Sequence, residues 1–133
     1  MRLTTKSEYA LLALIYIARN EKKGYIKLKN ICRTYNLSKK YLEHIIFTLR
    51  KSRYIATKRG MCGGYRLGRP AEKISVAEII RLMDGPLAPT LAVSKYFFKH
   101  TPLEKEKKVK KFFKEIRDYI ANKVEQLRIS DLI

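Results

Sequence analysis

Little in the sequence can hold a metal or run a reaction. Cys32 and Cys62 are the only cysteines and His44 and His100 the only histidines in 133 residues. The cysteines form no CxxC pair and read as free thiols. No nucleophile elbow, paired carboxylates or metal-ligand cluster is present, so an enzyme is not expected. Acidic residues are also scarce: 12 Asp and Glu stand against 30 Lys and Arg, a net charge of +18. Such a chain repels itself when compact, which points to a polyanionic partner. Long apolar runs are missing. The densest, Tyr9 to Ala18, follows Lys6 and Glu8 and is far short of the ~20 residues that cross a bilayer. It lacks a signal-peptide cleavage pattern. The expected location is the cytoplasm, with no membrane partner.

What is present is a series of helices and one hairpin. Thr5 to Arg19 is apolar almost all round and predicts a buried helix. Tyr25-Ile26-Lys27 after Gly24 predicts a short strand. Leu28 to Tyr35 predicts a second helix, ended by Asn36 in the left-handed conformation. Ser38 then offers an N-cap, and Leu37 and Leu42 sit where a hydrophobic staple forms. The third helix is expected from Lys39 to about Arg53, with Leu42, Ile45, Ile46 and Leu49 on one face. Tyr54–Lys58 and Tyr65–Leu67 read as strands flanking a glycine-rich tip. Ser75 and Glu78 form a capping box for a fourth helix, Val76 to Met83, stopped by Asp84-Gly85-Pro86. Leu103 to Leu127 carries Val109, Phe113, Ile116, Ile120, Val124 and Leu127 at helical spacing. A helix of that length, ~37 Å, outgrows so small a domain, so this stripe is expected to pack against a second copy.

Two helices, a tight turn and then a hairpin is the order of a winged helix-turn-helix, whose second helix lies in the major groove. With Leu42 toward the core, the opposite face carries Lys40, Glu43, His44, Phe47 and Lys51. Lys39, Lys40 and Lys51 suit phosphates, and Glu43 suits a cytosine amino group. A plain solvated helix face would have the same charges, but Phe47 argues against it. A thymine methyl or a protein neighbour would cover that ring. At the hairpin tip, Arg59 sits beside Lys58, Gly60 and Arg66, and a guanidinium on a narrow loop suits the minor groove. A merely flexible hairpin is the alternative. Arg2 and Thr4 precede the first helix and Lys6 lies in its first turn, where backbone amides suit a phosphate or a plain N-cap.

These residues resemble the bacterial winged-helix regulator family of IscR, NsrR and CymR. The resemblance rests on Met1-Arg2-Leu3-Thr4-Thr5-Lys6 with Tyr9-Ala10, then Leu37-Ser38, Tyr41-Leu42-Glu43 and Leu49-Arg50-Lys51. It continues through Arg59-Gly60, Gly63-Gly64-Tyr65-Arg66-Leu67, Asp84-Gly85-Pro86-Leu87-Ala88-Pro89 and Ile129-Ser130-Asp131-Leu132. It implies a dimer with crossed C-terminal helices on an imperfect palindrome. It places Ser38, Lys40, Tyr41 and Glu43 on the reading helix and Arg59 in the minor groove. Many members hold an iron–sulfur cluster through three cysteines in a loop after the fourth helix. Here that loop, Leu87 to Lys108, has none, and Ala92 stands where the first ligand would be. Clusters are held mainly by thiolates. Glu8 and His100 are residue types that serve as extra ligands but cannot hold a cluster alone, so no cofactor is expected.

The expected fold is mainly α with a small β-hairpin wing: a winged helix-turn-helix over residues 1–86, a linker or sensor-like loop over 87–102, and a dimerisation helix with a C-terminal tail over 103–133. The expected function is a sequence-specific DNA-binding repressor that works as a homodimer on double-stranded DNA. A basic RNA-binding or ribosome-associated protein is the alternative, and a membrane-surface protein using the basic last helix is a third. Cys62, among Lys58, Arg59 and Arg66, is a candidate redox thiol, since cationic neighbours favour a thiolate.

Overall fold

The computed structural model describes residues 1–133. Thr4 caps α1 (Thr5–Arg19), its hydroxyl accepting from the Lys6 amide. One face of α1 buries Ala10, Ala13, Leu14 and Ile17 at the centre of the core. α2 (Leu28–Tyr35) ends at Asn36, which takes φ 54, the left-handed turn its side chain tolerates. α3 (Lys39–Lys51) starts on Ser38, whose hydroxyl accepts from the Tyr41 amide, and buries Leu42, Ile45, Ile46 and Leu49. It stops at Lys51 rather than Arg53, because Arg53 turns left-handed at φ 64 and releases Tyr54 toward the hairpin.

β1 (Ile55–Lys58) and β2 (Gly64–Leu67) pair antiparallel with Ile55 opposite Leu67 and Lys58 opposite Gly64. The strand expected at Tyr25–Lys27 shrinks to one bridge, Ile26 to Tyr65, because α2 begins at Leu28 and leaves no room for more. That bridge still anchors the hairpin to the core side, with reciprocal bonds of 2.7 and 2.8 Å.

α4 (Val76–Asp84) opens on the expected capping box. Its Glu78 does more than cap. Its carboxylate accepts from the Ser75 amide at 2.8 Å and from the Tyr54 hydroxyl at 2.6 Å. Arg69 lies 3.8 Å from it, stacks over the Tyr54 ring at 4.2 Å and donates to the Ser52 carbonyl. Burial and the Glu78 carboxylate push the Tyr54 hydroxyl up to about 12. Burial works against the Glu78 charge, but the bonds from Tyr54 and Ser75 and the nearby Arg69 outweigh it and hold the carboxyl below its ordinary range. At the other end of α4, Asp84 accepts from the Thr4 amide at 2.8 Å, the Ser7 hydroxyl at 2.6 Å and the Thr4 hydroxyl. Burial again opposes the charge, and these donors with Lys6 override it and lower the Asp84 pKa.

The last segment departs from the expected division. Pro102–Lys105 forms a 3₁₀ turn, so α5 (Lys107–Gln126) begins at Lys107 rather than Leu103. The residues beyond α5 are no free tail. Ile129 is 0% exposed in the core, its amide donates to the Ile74 carbonyl, and the Val76 amide donates to the Leu127 carbonyl. Ile129 thus belongs to the same core as α1 and α4, with Leu127 and Leu132 packed against it. By contrast, α5 itself buries no residue over its 20 positions.

The Tyr54–Glu78 bond sets an expectation at both ends of the pH scale. A carboxylate held below its ordinary range stabilises the fold above that range, and the benefit fades as pH falls through its folded value. A phenol raised to about 12 stabilises below its ordinary value near 10, and the benefit fades as pH rises toward 12. Tyr54→Phe is expected to cost about 1–3 kcal/mol in urea unfolding at pH 7. It should also flatten the decline of stability between about pH 10 and 12.

Candidate nucleic-acid interface

The outward arc of α3 is basic. Lys39, Lys40, Glu43, His44, Phe47, Arg50 and Lys51 are all exposed, with Ser38 exposed at its start. Arg50 is absent from the face expected from the sequence, and its guanidinium lies 5.9 Å from the Phe47 ring centroid. None of the five ion pairs in the structure involves α3 or the hairpin. The positive charge of this face is therefore not neutralised from within the chain. Tyr41 points differently: it is half-buried, its ring edge-on to Tyr9 at 5.1 Å. It lines a cleft of about 300 Å³ with Lys6, His44, Phe47 and Met83, so the start of α1 and the middle of α3 form one surface.

The hairpin projects beside this arc. Lys58, Arg59, Gly60, Met61 and Cys62 are exposed at its tip, and Arg59 makes no ion pair. Two residues whose contacts sequence reasoning missed hold the hairpin's flank. Tyr25 lies under both Lys58, at 5.6 Å, and Arg66, at 5.1 Å. Lys27 donates to the Gly60 carbonyl at 3.4 Å. The only signal for these was an aromatic and a lysine on either side of a predicted strand. Gly63 is demanded by space: a Cβ there would lie 2.1 Å from the Lys58 carbonyl oxygen.

At the N-terminus one expectation is corrected. The Thr4 amide and hydroxyl are both taken by Asp84. A carboxylate of the chain itself fills the place expected for a phosphate at Thr4, because an anion at a helix start is favoured whatever its source. The side chains of Arg2 and Lys6 remain exposed on either side.

The stripe on α5 is divided. Val124 and Leu127 pack against the chain's own core, and Phe113, Ile116 and Ile120 are half-buried. The most exposed apolar groups are Val109, Phe112 at 56% and Tyr119 at 67%. The exposed apolar side chains of the helix are thus Val109, Phe112 and Tyr119, of which only Val109 belongs to the predicted stripe. The rest of that stripe turns partly inward, onto α4 and the 91–93 turn.

The loop after α4 does not fit an iron–sulfur cluster. It has no thiolate, and the Ala92 methyl is buried. Cys32 packs against the core from α2, while Cys62 is exposed at the hairpin tip. His100 is exposed and bonded to Glu104 at 2.9 Å, and Glu8 is exposed on α1. No three His, Cys, Asp or Glu side chains converge on a point where a metal could sit. No helix is long and apolar enough to cross a membrane.

Comparison with known proteins agrees with this architecture. A family model described as Rrf2, iron-dependent transcriptional regulator, matches residues 3–133. The HTH-type transcriptional regulator CymR of Bacillus subtilis strain 168 is 30% identical over 132 residues, covering 99% of this chain and 89% of the relative. The solved structure of CymR, described as the global cysteine regulator of B. subtilis, superposes with a TM-score of 0.80 over 99% of this chain and 95% of that one. The regulator IscR of Cronobacter sakazakii is 39% identical over 90 residues, which cover 68% of this chain and 56% of IscR.

Gly63→Ala tests whether the wing depends on that close approach. The collision with the Lys58 carbonyl should loosen the hairpin by about 1–3 kcal/mol. Hydrogen exchange of amides 58–64 should accelerate about tenfold to a hundredfold, while the α1 and α3 amides keep their protection.

Proposed function

Because the chain belongs to the Rrf2 family of transcriptional regulators, we propose that it represses transcription by binding a palindromic operator in double-stranded DNA as a homodimer. The observation that carries this reading is the basic face shared by α3 and the hairpin, none of whose cations is neutralised by an acidic side chain. A helix of this size fits the major groove. Lys39, Lys40, Lys51, Lys58, Arg2 and Lys6 meet phosphates, which set register without reading sequence. Ser38 and His44 donate or accept at the groove edge. Glu43 is the one acid on α3, and a carboxylate that faces a polyanion is tolerated where it accepts from a cytosine amino group. Arg59 and Gly60 enter the minor groove from the projecting tip.

The second copy docks on α5. A 20-residue helix with no fully buried residue, exposing Phe112 and Tyr119, is short of a partner. Two copies give two reading helices, which is what a palindrome requires. The iron dependence in the family description is not extended to this chain, whose sensor-like loop lacks the ligands. The protein takes no cluster, acts in the cytoplasm and catalyses no reaction, in line with relatives that are regulators and not enzymes.

Selection from a randomised duplex pool should recover one preferred, two-fold symmetric sequence. Affinity for it should fall steeply with salt through counterion release. Glu43→Ala should relax the sequence preference more than it weakens binding. Arg59→Ala should cost about 10- to 100-fold in affinity, the scale of a lost charge-assisted hydrogen bond. Light scattering should give twice the chain mass of 15.6 kDa, and Phe112→Asp should halve it. Equal binding to every duplex, or a preference for structured RNA, would overturn the reading.

A further inference from the structure

The centre of the α3 arc is occupied by an apolar ring. Successive helical residues turn by about 100°. On that wheel Phe47 lies within about 30° of the direction opposite the buried row of Leu42, Ile45, Ile46 and Leu49. It lies on the outward face between Glu43 and Arg50 on one side and Lys40, His44 and Lys51 on the other, with Lys40 and Lys51 closest to the direction opposite the core. It is 56% exposed. The Arg50 guanidinium lies 5.9 Å from its ring centroid. Shallow clefts lie on both sides of the ring. One of about 200 Å³ is lined by Glu43, Ile46, Arg50 and Tyr65. The other, toward α1, is lined by Lys6, Tyr41, His44 and Met83. Phe47 is thus a ridge between two hollows on the face that carries the basic groups.

Covering an exposed phenylalanine ring with an apolar group is favourable. The surrounding charge selects the occupant. Lys39, Lys40, Arg50 and Lys51 are exposed around the ring without an acidic partner, so what docks here is anionic at its edges and apolar at its centre. A DNA major groove has that layout: phosphates along both walls and the thymine C5-methyl as its apolar feature on the floor. We propose that Phe47 reads thymine, packing its ring on a C5-methyl while Glu43 and Arg50 approach the adjacent base pairs. This rests on the DNA-binding reading above and adds a specificity-determining contact to it.

Replacing thymine by deoxyuridine removes the methyl and leaves every hydrogen-bonding group in place. The preferred duplex recovered with the wild-type protein is substituted one thymine at a time, and affinity is measured for wild type, Phe47→Ala and Phe47→Leu. At one thymine per half-site, wild type should prefer thymine over uracil about three- to fivefold, the size of one buried methyl. Phe47→Ala should bring that ratio to about one, and Phe47→Leu should keep part of it. Circular dichroism should be unchanged, since the side chain takes no part in the core. The inference is overturned if no thymine shows the preference. It is equally overturned if Phe47→Ala keeps the preference, because another group then reads the methyl. In both cases a preferred duplex still exists and the DNA-binding reading stands. If selection yields no preferred duplex, both fall together.

Discussion

The carboxylate of Glu78 is the point on which the arrangement of the basic face depends. It takes the Tyr54 hydroxyl at the entry to β1, the Ser75 amide at the start of α4, and the charge of Arg69 just after β2. Both ends of the hairpin are thereby fixed to one helix. Without that acceptor, the buried Tyr54 ring would carry an unpaired hydroxyl, which is costlier than never forming the bond. Asp84, at the other end of α4, does the same for the start of α1 through Thr4 and Ser7. Arg81, between them, pairs with Glu125 of α5. One nine-residue helix, about 13 Å long, so sets the positions of the hairpin, the N-terminus and the last helix.

This use of acids explains how a chain of net charge +18 keeps both a fold and an attractive surface. Surface ion pairs contribute little to stability in water. Carboxylates that collect several donors contribute more, and Glu78 and Asp84 each collect several. Of the acids, only Glu43 lies on α3, and none lies on the hairpin. The cations there repel one another, which weakens the compact state and favours binding of a polyanion. The same segregation makes the surface selective for where charge goes, since a neutralised face would attract phosphate no better than the rest of the molecule.

Local rules made most of the elements legible. The caps at Ser38 and Ser75, the left-handed Asn36 and the core row of α3 are governed by residues within one or two turns of each other, so the sequence order alone reveals them. The exposed face of α3 followed from the same periodicity, apart from Arg50. What was not legible depends on residues far apart in the chain. Asp84 reads as a turn former until it meets Thr4, 80 positions away. Ile129 reads as a tail until its amide reaches Ile74. The apolar stripe of α5 is broad, and only packing on α4 and the 91–93 turn decides which part of it turns inward. Tyr25 read only as the start of a short strand until the fold put Lys58 and Arg66 over its ring.

The return of the chain after α5 has a mechanical consequence. Leu127 accepts from the Val76 amide, Arg128 bridges Ser75, and Ile129 is locked in the core. These bonds attach the end of α5 to the first turn of α4, the same turn that holds Glu78. Interiors are packed too densely to absorb a displacement locally. The α4 start in turn holds, through Glu78, Tyr54 at the base of the hairpin. The exposed row of α5 and the tip that carries Arg59 are linked by backbone hydrogen bonds and one shared carboxylate, with no flexible linker between them.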